Sequence, residues 1–200
     1  VSRGEYDEAR RFYQRLLAKT PRSSRVAYAL GKVYIAQRDF SEETLPVYER
    51  AYKAHPDDQE ILHAYARALL VEPKTSPEAK QVYEKALQSF PEPHWLEYGI
   101  GRCELQAGNY EEAGKRLRSA LRGGVTSEAL YHSLCEVYLR TQNFTAKALP
   151  VFEQQFPSRR DDREFLQGYL MACIDAKKTD NQVESLCQSV LEHSPDFLPA

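Results

Sequence analysis

YQRLLAKTP (13–21), YERAYKAHP (48–56) and YEKALQSFP (83–91) are three copies of one phrase, and Pro21, Pro56 and Pro91 close them at a strict spacing of 35 residues. A fourth copy, CQSVLEHSP (187–195), ends on Pro195 three periods further on. In each copy an aromatic residue or Cys precedes a small or aliphatic one by three positions: Tyr13/Leu16, Tyr48/Ala51, Tyr83/Ala86 and Cys187/Val190. That spacing sets both side chains on one face of a helix, and the proline stops the helix. Self-similarity at this period marks a stacked array of helical repeats, which has no single central core to fill.

Between the phrases runs a second helical pattern: AYALGKVY (27–34), HAYARALL (63–70), YGIGRCEL (98–105) and YHSLCEVY (131–138). In each, a bulky residue precedes a small one: Leu30-Gly31, Tyr65-Ala66, Ile100-Gly101 and Leu134-Cys135. A small residue there lets the neighbouring helix approach closely. Arg38-Asp39-Phe40, Gly108-Asn109-Tyr110 and Gln142-Asn143-Phe144 occupy the turns, where a Gly or polar residue ends one helix and an aromatic staples the start of the next. FSEETLPVYE (40–49) and FTAKALPVFE (144–153) carry an extra residue and a proline, so their helices are expected to start late or to kink near Pro46 and Pro150. EPKTSP (72–77) reads as a lengthened turn.

The order bulky-small, Tyr, Gly-Asn-Tyr-Glu-Glu-Ala, aromatic, Ala-Leu and Pro resembles the tetratricopeptide repeat. Gly4-Glu5-Tyr6-Asp7-Glu8-Ala9 and Gly108-Asn109-Tyr110-Glu111-Glu112-Ala113 fit the start of that repeat's second helix. The resemblance covers essentially the whole chain. It implies an all-α fold: antiparallel helix pairs stacked into a right-handed superhelix, a solenoid of about five and a half repeats. The half-repeat is 1–22, and the full repeats are 23–57, 58–92, 93–126, 127–160 and 161–196. First helices would line the concave face. The chain opens inside a repeat, and Asp-Phe-Leu-Pro-Ala after Pro195 reads as the approach to another helix, so a fragment of a longer protein is expected.

Composition limits the function. A formal charge of −2 opposes general affinity for nucleic acid. No apolar run approaches the roughly 18 residues of a membrane span. Cys103, Cys135, Cys173 and Cys187 form no CxxC pair and read as buried free thiols of a reducing compartment such as the cytoplasm, although Cys173 and Cys187 stand where one helical hairpin brings them face to face. No nucleophile, zinc, phosphate or dinucleotide motif occurs, so no cofactor, metal or catalytic residue is expected and the chain does not read as an enzyme. Glu42-Glu43, Asp57-Asp58 and Asp161-Asp162 lie at helix starts, where exposed N–H groups favour negative charge.

The implied groove supplies the candidate site. Residues one period apart form rungs along it: Tyr28, His63, Tyr98 and His132, and one turn on, Lys32, Arg67, Arg102 and Glu136. Arg25 and Trp95 extend the face. Rings beside cations suit an extended, acidic peptide or a C-terminal carboxylate. The bland alternative is a set of solvated polar positions with tyrosines packed between repeats. Family members that clamp heat-shock chaperone C-termini use Lys and Asn in this groove, and Asn is absent from both ladders. The leading function is therefore a protein-interaction scaffold that binds a peptide or partner protein. Two alternatives are an RNA-processing scaffold, since Trp95-Leu96-Glu97-Tyr98 is similar to the half-a-tetratricopeptide repeat, and self-association as a homodimer through end helices that expose Leu16, Leu17, Phe197 and Leu198.

Overall fold

A computed structural model describes residues 3–71, 74–90, 94–179 and 181–193. Among these residues there are eleven α-helices and no strand. They are α1 (Arg3–Lys19), α2 (Ser24–Gln37), α3 (Leu45–Ala54), α4 (Gln59–Leu69), α5 (Pro77–Ser89), α6 (His94–Gln106), α7 (Tyr110–Arg122), α8 (Glu128–Arg140), α9 (Leu149–Gln155), α10 (Arg163–Asp175) and α11 (Asn181–His193). In chain order α1 is followed by ten further helices among the described residues. Pro91, Pro195, Phe197 and Leu198 lie outside the described residues, as do Glu72 and Pro73 of the lengthened turn. The chain divides into two compact units, Val1–Cys103 and Glu104–Ala200.

Helix starts follow local chemistry. Ser23, Asp58, Ser127 and Asp162 cap α2, α4, α8 and α10, each accepting from the backbone N–H three residues on at 3.0–3.3 Å. Asp58 and Asp162 thus work as helix caps, as the acidic pairs at helix starts lead one to expect. The two proline-bearing helices begin late: α3 opens at Leu45 after a short 3-10 turn, Glu42–Thr44, and α9 opens at Leu149. Proline at the second helical position loses no helical hydrogen bond, so both helices are shortened, to ten and seven residues.

Helix ends follow a second rule. Arg38, Gly108, Gln142 and Lys177, each just past a first helix, adopt left-handed backbone with φ of 54°, 79°, 50° and 53°. The next N–H then bonds back across the last turn, as from Asp39 to Tyr34 and from Asn143 to Tyr138. Only one of the four is the glycine this conformation favours; at the other three the returning hydrogen bonds hold it.

In the first unit, two apolar clusters sit between successive helices. One joins Ala27, Leu30 and Tyr34 of α2 to Val47 and Tyr48 of α3. The other joins Leu62, Ala66 and Leu69 to Val82, Tyr83, Leu96 and Ile100. The small residues are buried as their positions demand: Gly31, Ala66, Gly101 and, in the second unit, Cys135. A Cβ on Gly31 would stand 3.2 Å from Ile61 Cδ1. In the second unit Phe152 stacks on Tyr169 at 6.1 Å and meets Phe165 at 5.4 Å.

Two contacts recur with the period. Tyr48 and Tyr83 send their hydroxyls to the carbonyls of Asp39 and Lys74, tying each second helix to its own turn. Arg50 and Lys85 donate to the carbonyls of Pro21 and Pro56, the latter at 2.7 Å, so each cation holds the end of the preceding repeat. The four cysteines form no disulfide; Cys103, Cys135 and Cys173 are buried and Cys187 is half-exposed. No described helix is long and apolar enough to cross a membrane.

Candidate functional site

The first rung is built by two successive repeats. Tyr28 and Lys32 lie one turn apart on α2, and both reach the start of α4. The Tyr28 hydroxyl donates to Asp58 Oδ2 at 2.8 Å. Lys32 Nζ lies 2.7 Å from the same oxygen, 2.8 Å from Glu60 Oε2 and 5.4 Å from the Tyr28 ring centre. His55 packs against Tyr28, the ring centres 4.2 Å apart and the planes tilted by 48°. Burial alone would raise the Asp58 carboxyl, but bonds from Lys32, the Ile61 N–H and Tyr28 outweigh it and hold it down at about 2. Burial opposes the Lys32 charge as well, yet Asp58 and Glu60 push its pKa above the ordinary value. The cation expected to stand open to a ligand is thus neutralised by two carboxylates of the next repeat.

His63, on α4, is half-buried against Phe90 at 4.5 Å and Trp95 at 5.0 Å. Burial, with Arg67 one turn away, lowers its pKa, so it resists taking up a proton. Arg67 is exposed, and its guanidinium lies 5.0 Å from the ring centre of Phe40, the turn aromatic of the preceding repeat. Tyr98 is buried and accepts from Arg102 Nη1 at 3.3 Å. Arg25 is exposed near the start of α2.

Eight of the ten candidate residues, Arg25, Tyr28, Lys32, His63, Arg67, Trp95, Tyr98 and Arg102, belong to the first unit, Val1–Cys103. His132 and Glu136 belong to the second, where His132 is exposed and Glu136 lies 3.9 Å from Arg140. The ladder reading finds the rings and cations but misses their partners: Asp58, Glu60, Phe40 and Phe90. Asp58 was legible as a helix cap. Its second use required knowing that α2 leans on the start of α4.

What this face offers is graded. Around Lys32 two carboxylates outweigh the one cation. Around Arg67 and Arg102 two cations are held against ring faces, leaving guanidinium N–H groups in plane to donate to a carboxylate.

Residues 1–59 and residues 75–138 each match a family model described as tetratricopeptide repeat. No curated protein matches the chain. Among solved structures the chain is similar to YrrB, a TPR protein with an unusual peptide-binding site, at 14% identity over 92% of this chain and 93% of that one, with a TM-score of 0.52. It is similar to MamA at 15% identity over 88% and 97%, with a TM-score of 0.52. It is also similar to pilF of Pseudomonas aeruginosa at 16% identity over 98% and 87%, with a TM-score of 0.51. At such identities the likeness is one of fold.

Proposed function

The chain belongs to the tetratricopeptide-repeat family, and we infer that this protein-interaction scaffold takes an extended, acidic peptide of a partner protein on the face carrying Arg67 and Arg102. Arg67 carries the reading. Its guanidinium is exposed yet fixed over Phe40, so little freedom is lost when a carboxylate arrives. Arg102, over the Tyr98 ring at 6.0 Å, is the equivalent group one repeat on. Arg25 adds positive charge at the α2 end, while Tyr28, Lys32, His63 and Trp95 shape the floor.

The test is fluorescence anisotropy with labelled decapeptides of graded Asp and Glu content, comparing the native chain with the double variant R67E/R102E. Micromolar binding that rises with acidic content and falls at least tenfold in the variant is expected. Equal binding by the variant would overturn the reading.

A further inference from the structure

We propose that the peptide on this face lies as a polyproline II helix with two acidic residues three positions apart, one for Arg67 and one for Arg102. This rests on the acidic-peptide reading of the face and assigns the ligand's backbone form and the register of its charges. The first ground is spacing. Arg67 and Arg102 hold equivalent positions on α4 and α6, 35 residues apart. These two helices pack directly on each other. His63 meets Trp95 at 5.0 Å, and a Cβ on Gly99 would stand 3.1 Å from Cδ2 of Leu70, just past the end of α4. Leu62, Ala66 and Leu69 share one apolar cluster with Leu96 and Ile100. Helices in such contact run about 8–10 Å apart, so equivalent side chains on them are separated by about that interval.

Polyproline II is the regular backbone that matches this interval. With three residues per turn, it returns a side chain to the same face after about 9.3 Å. A strand does so after about 6.7 Å and again after about 13 Å. Neighbours on one face of an α-helix are about 5–6 Å apart. A polyproline II segment is also extended before it binds, so little backbone freedom is lost on docking. The second ground is the lining. One turn before Arg67, the half-buried ring of His63 lies against the half-buried ring of Trp95, which gives the prolines between the acids an aromatic seat. The third ground is charge. Among the described residues neither Arg67 nor Arg102 is held by a carboxylate; they meet the Phe40 ring and the Tyr98 hydroxyl. Lys32, one repeat earlier, is held by Asp58 and Glu60. A third acid in register gains nothing at Lys32, so the ligand carries two.

Fluorescence anisotropy of the native chain with labelled decapeptides of eight Pro and two Glu reads the register. Glu residues three positions apart should bind about fivefold tighter than Glu residues two or four apart. Replacing every Pro by Gly or Ser at the same three-residue spacing should weaken binding about threefold, because a flexible chain has more freedom to lose. Charge swaps then assign the pairs. R67E should regain binding to a peptide in which one Glu becomes Lys, and R102E to the peptide swapped at the other Glu. Failure of every acidic peptide, in either background, defeats the acidic-peptide reading itself. Equal binding at all three spacings, abolished in R67E/R102E, leaves that reading standing and overturns the register. Gly/Ser peptides that bind as tightly as Pro peptides overturn the polyproline II form. Rescue of both variants by the same swapped peptide, or of neither by any, overturns the one-to-one pairing.

Discussion

Lys32 Nζ lies 2.7 Å from Asp58 Oδ2, so a cation of one repeat is held by the residue that caps the first helix of the next. Asp58 therefore has two tasks, and substitution separates them. Asparagine keeps the cap, since its side-chain oxygen accepts from Ile61 as well as a carboxylate does. It removes the ion pair with Lys32.

D58N should lower stability by about 1 kcal/mol at pH 7, read by urea unfolding. The sign with pH is fixed by the direction of the shift. The folded carboxyl is held at about 2 against an ordinary value of about 3.9, so its contribution is present above pH ~4 and is lost as pH falls through 2. Native and variant curves should draw together as pH falls toward 2 and converge below it. A constant gap across that range would mean that Asp58 stabilises through packing alone.

The Gly31 contact predicts a steric effect. A Cβ there already stands 3.2 Å from Ile61 Cδ1, and both residues are buried. G31L should overpack the α2–α4 contact and cost about 1–3 kcal/mol, whereas an exposed site such as Ala36 should accept Leu within about 0.5 kcal/mol. Equal thermal midpoints for the two variants would contradict the close approach.

Thiol chemistry separates the four cysteines. Burial pushes the Cys135 thiol up to about 11, although Arg159 beside it favours the thiolate. Cys187 is half-exposed. A maleimide at neutral pH should label Cys187 first, and Cys135 only on unfolding, as read by peptide mass spectrometry. Labelling of Cys135 at the rate of Cys187 in the folded chain would show that α8 opens locally.

Peptide binding should weaken with salt, since Arg67 is open to solvent. Its pH dependence departs from what the ladder suggests. A histidine at a neutral-pH groove is expected to gain charge toward pH 6 and strengthen an acidic ligand's hold. In the fold, burial against Phe90 and Trp95 lowers the pKa of His63. Anisotropy titrations at pH 7.5 and 6 should therefore agree within about twofold for H63Q relative to the native chain. A strong gain at pH 6 that vanishes in H63Q would show His63 charged by the ligand.

These cases mark where sequence reading succeeds and where it stops. Proline spacing located the helix pairs, and Pro46 and Pro150 announced late starts, because both follow from bonding along one stretch of backbone. Burial of Gly31 and Cys135 followed from helical period alone. Openness of Lys32 and His63 did not, because each is decided by residues outside its own helix. Asp58, 26 residues from Lys32, and Trp95, 32 residues from His63, belong to the following repeat and reach them only once repeats stack. A ladder drawn from one helix at a time records which side chains share a stripe and leaves out what the next repeat lays against it.

The reach of Arg50 to Pro21 and of Lys85 to Pro56 bears on how such a chain can change in length. Donor and acceptor are 29 residues apart in both cases, and both sets recur every 35. Excising residues 21–55 would remove one donor with its own acceptor, join Thr20 to Pro56, and leave Lys85 over the carbonyl it already holds. Duplicating the same span would create a second matched set. A shorter excision inside residues 22–49 or 57–84 would change the spacing between a cation and its proline. The contact thus acts as a copying rule: growth and loss by whole 35-residue units leave every surviving junction with its fastening.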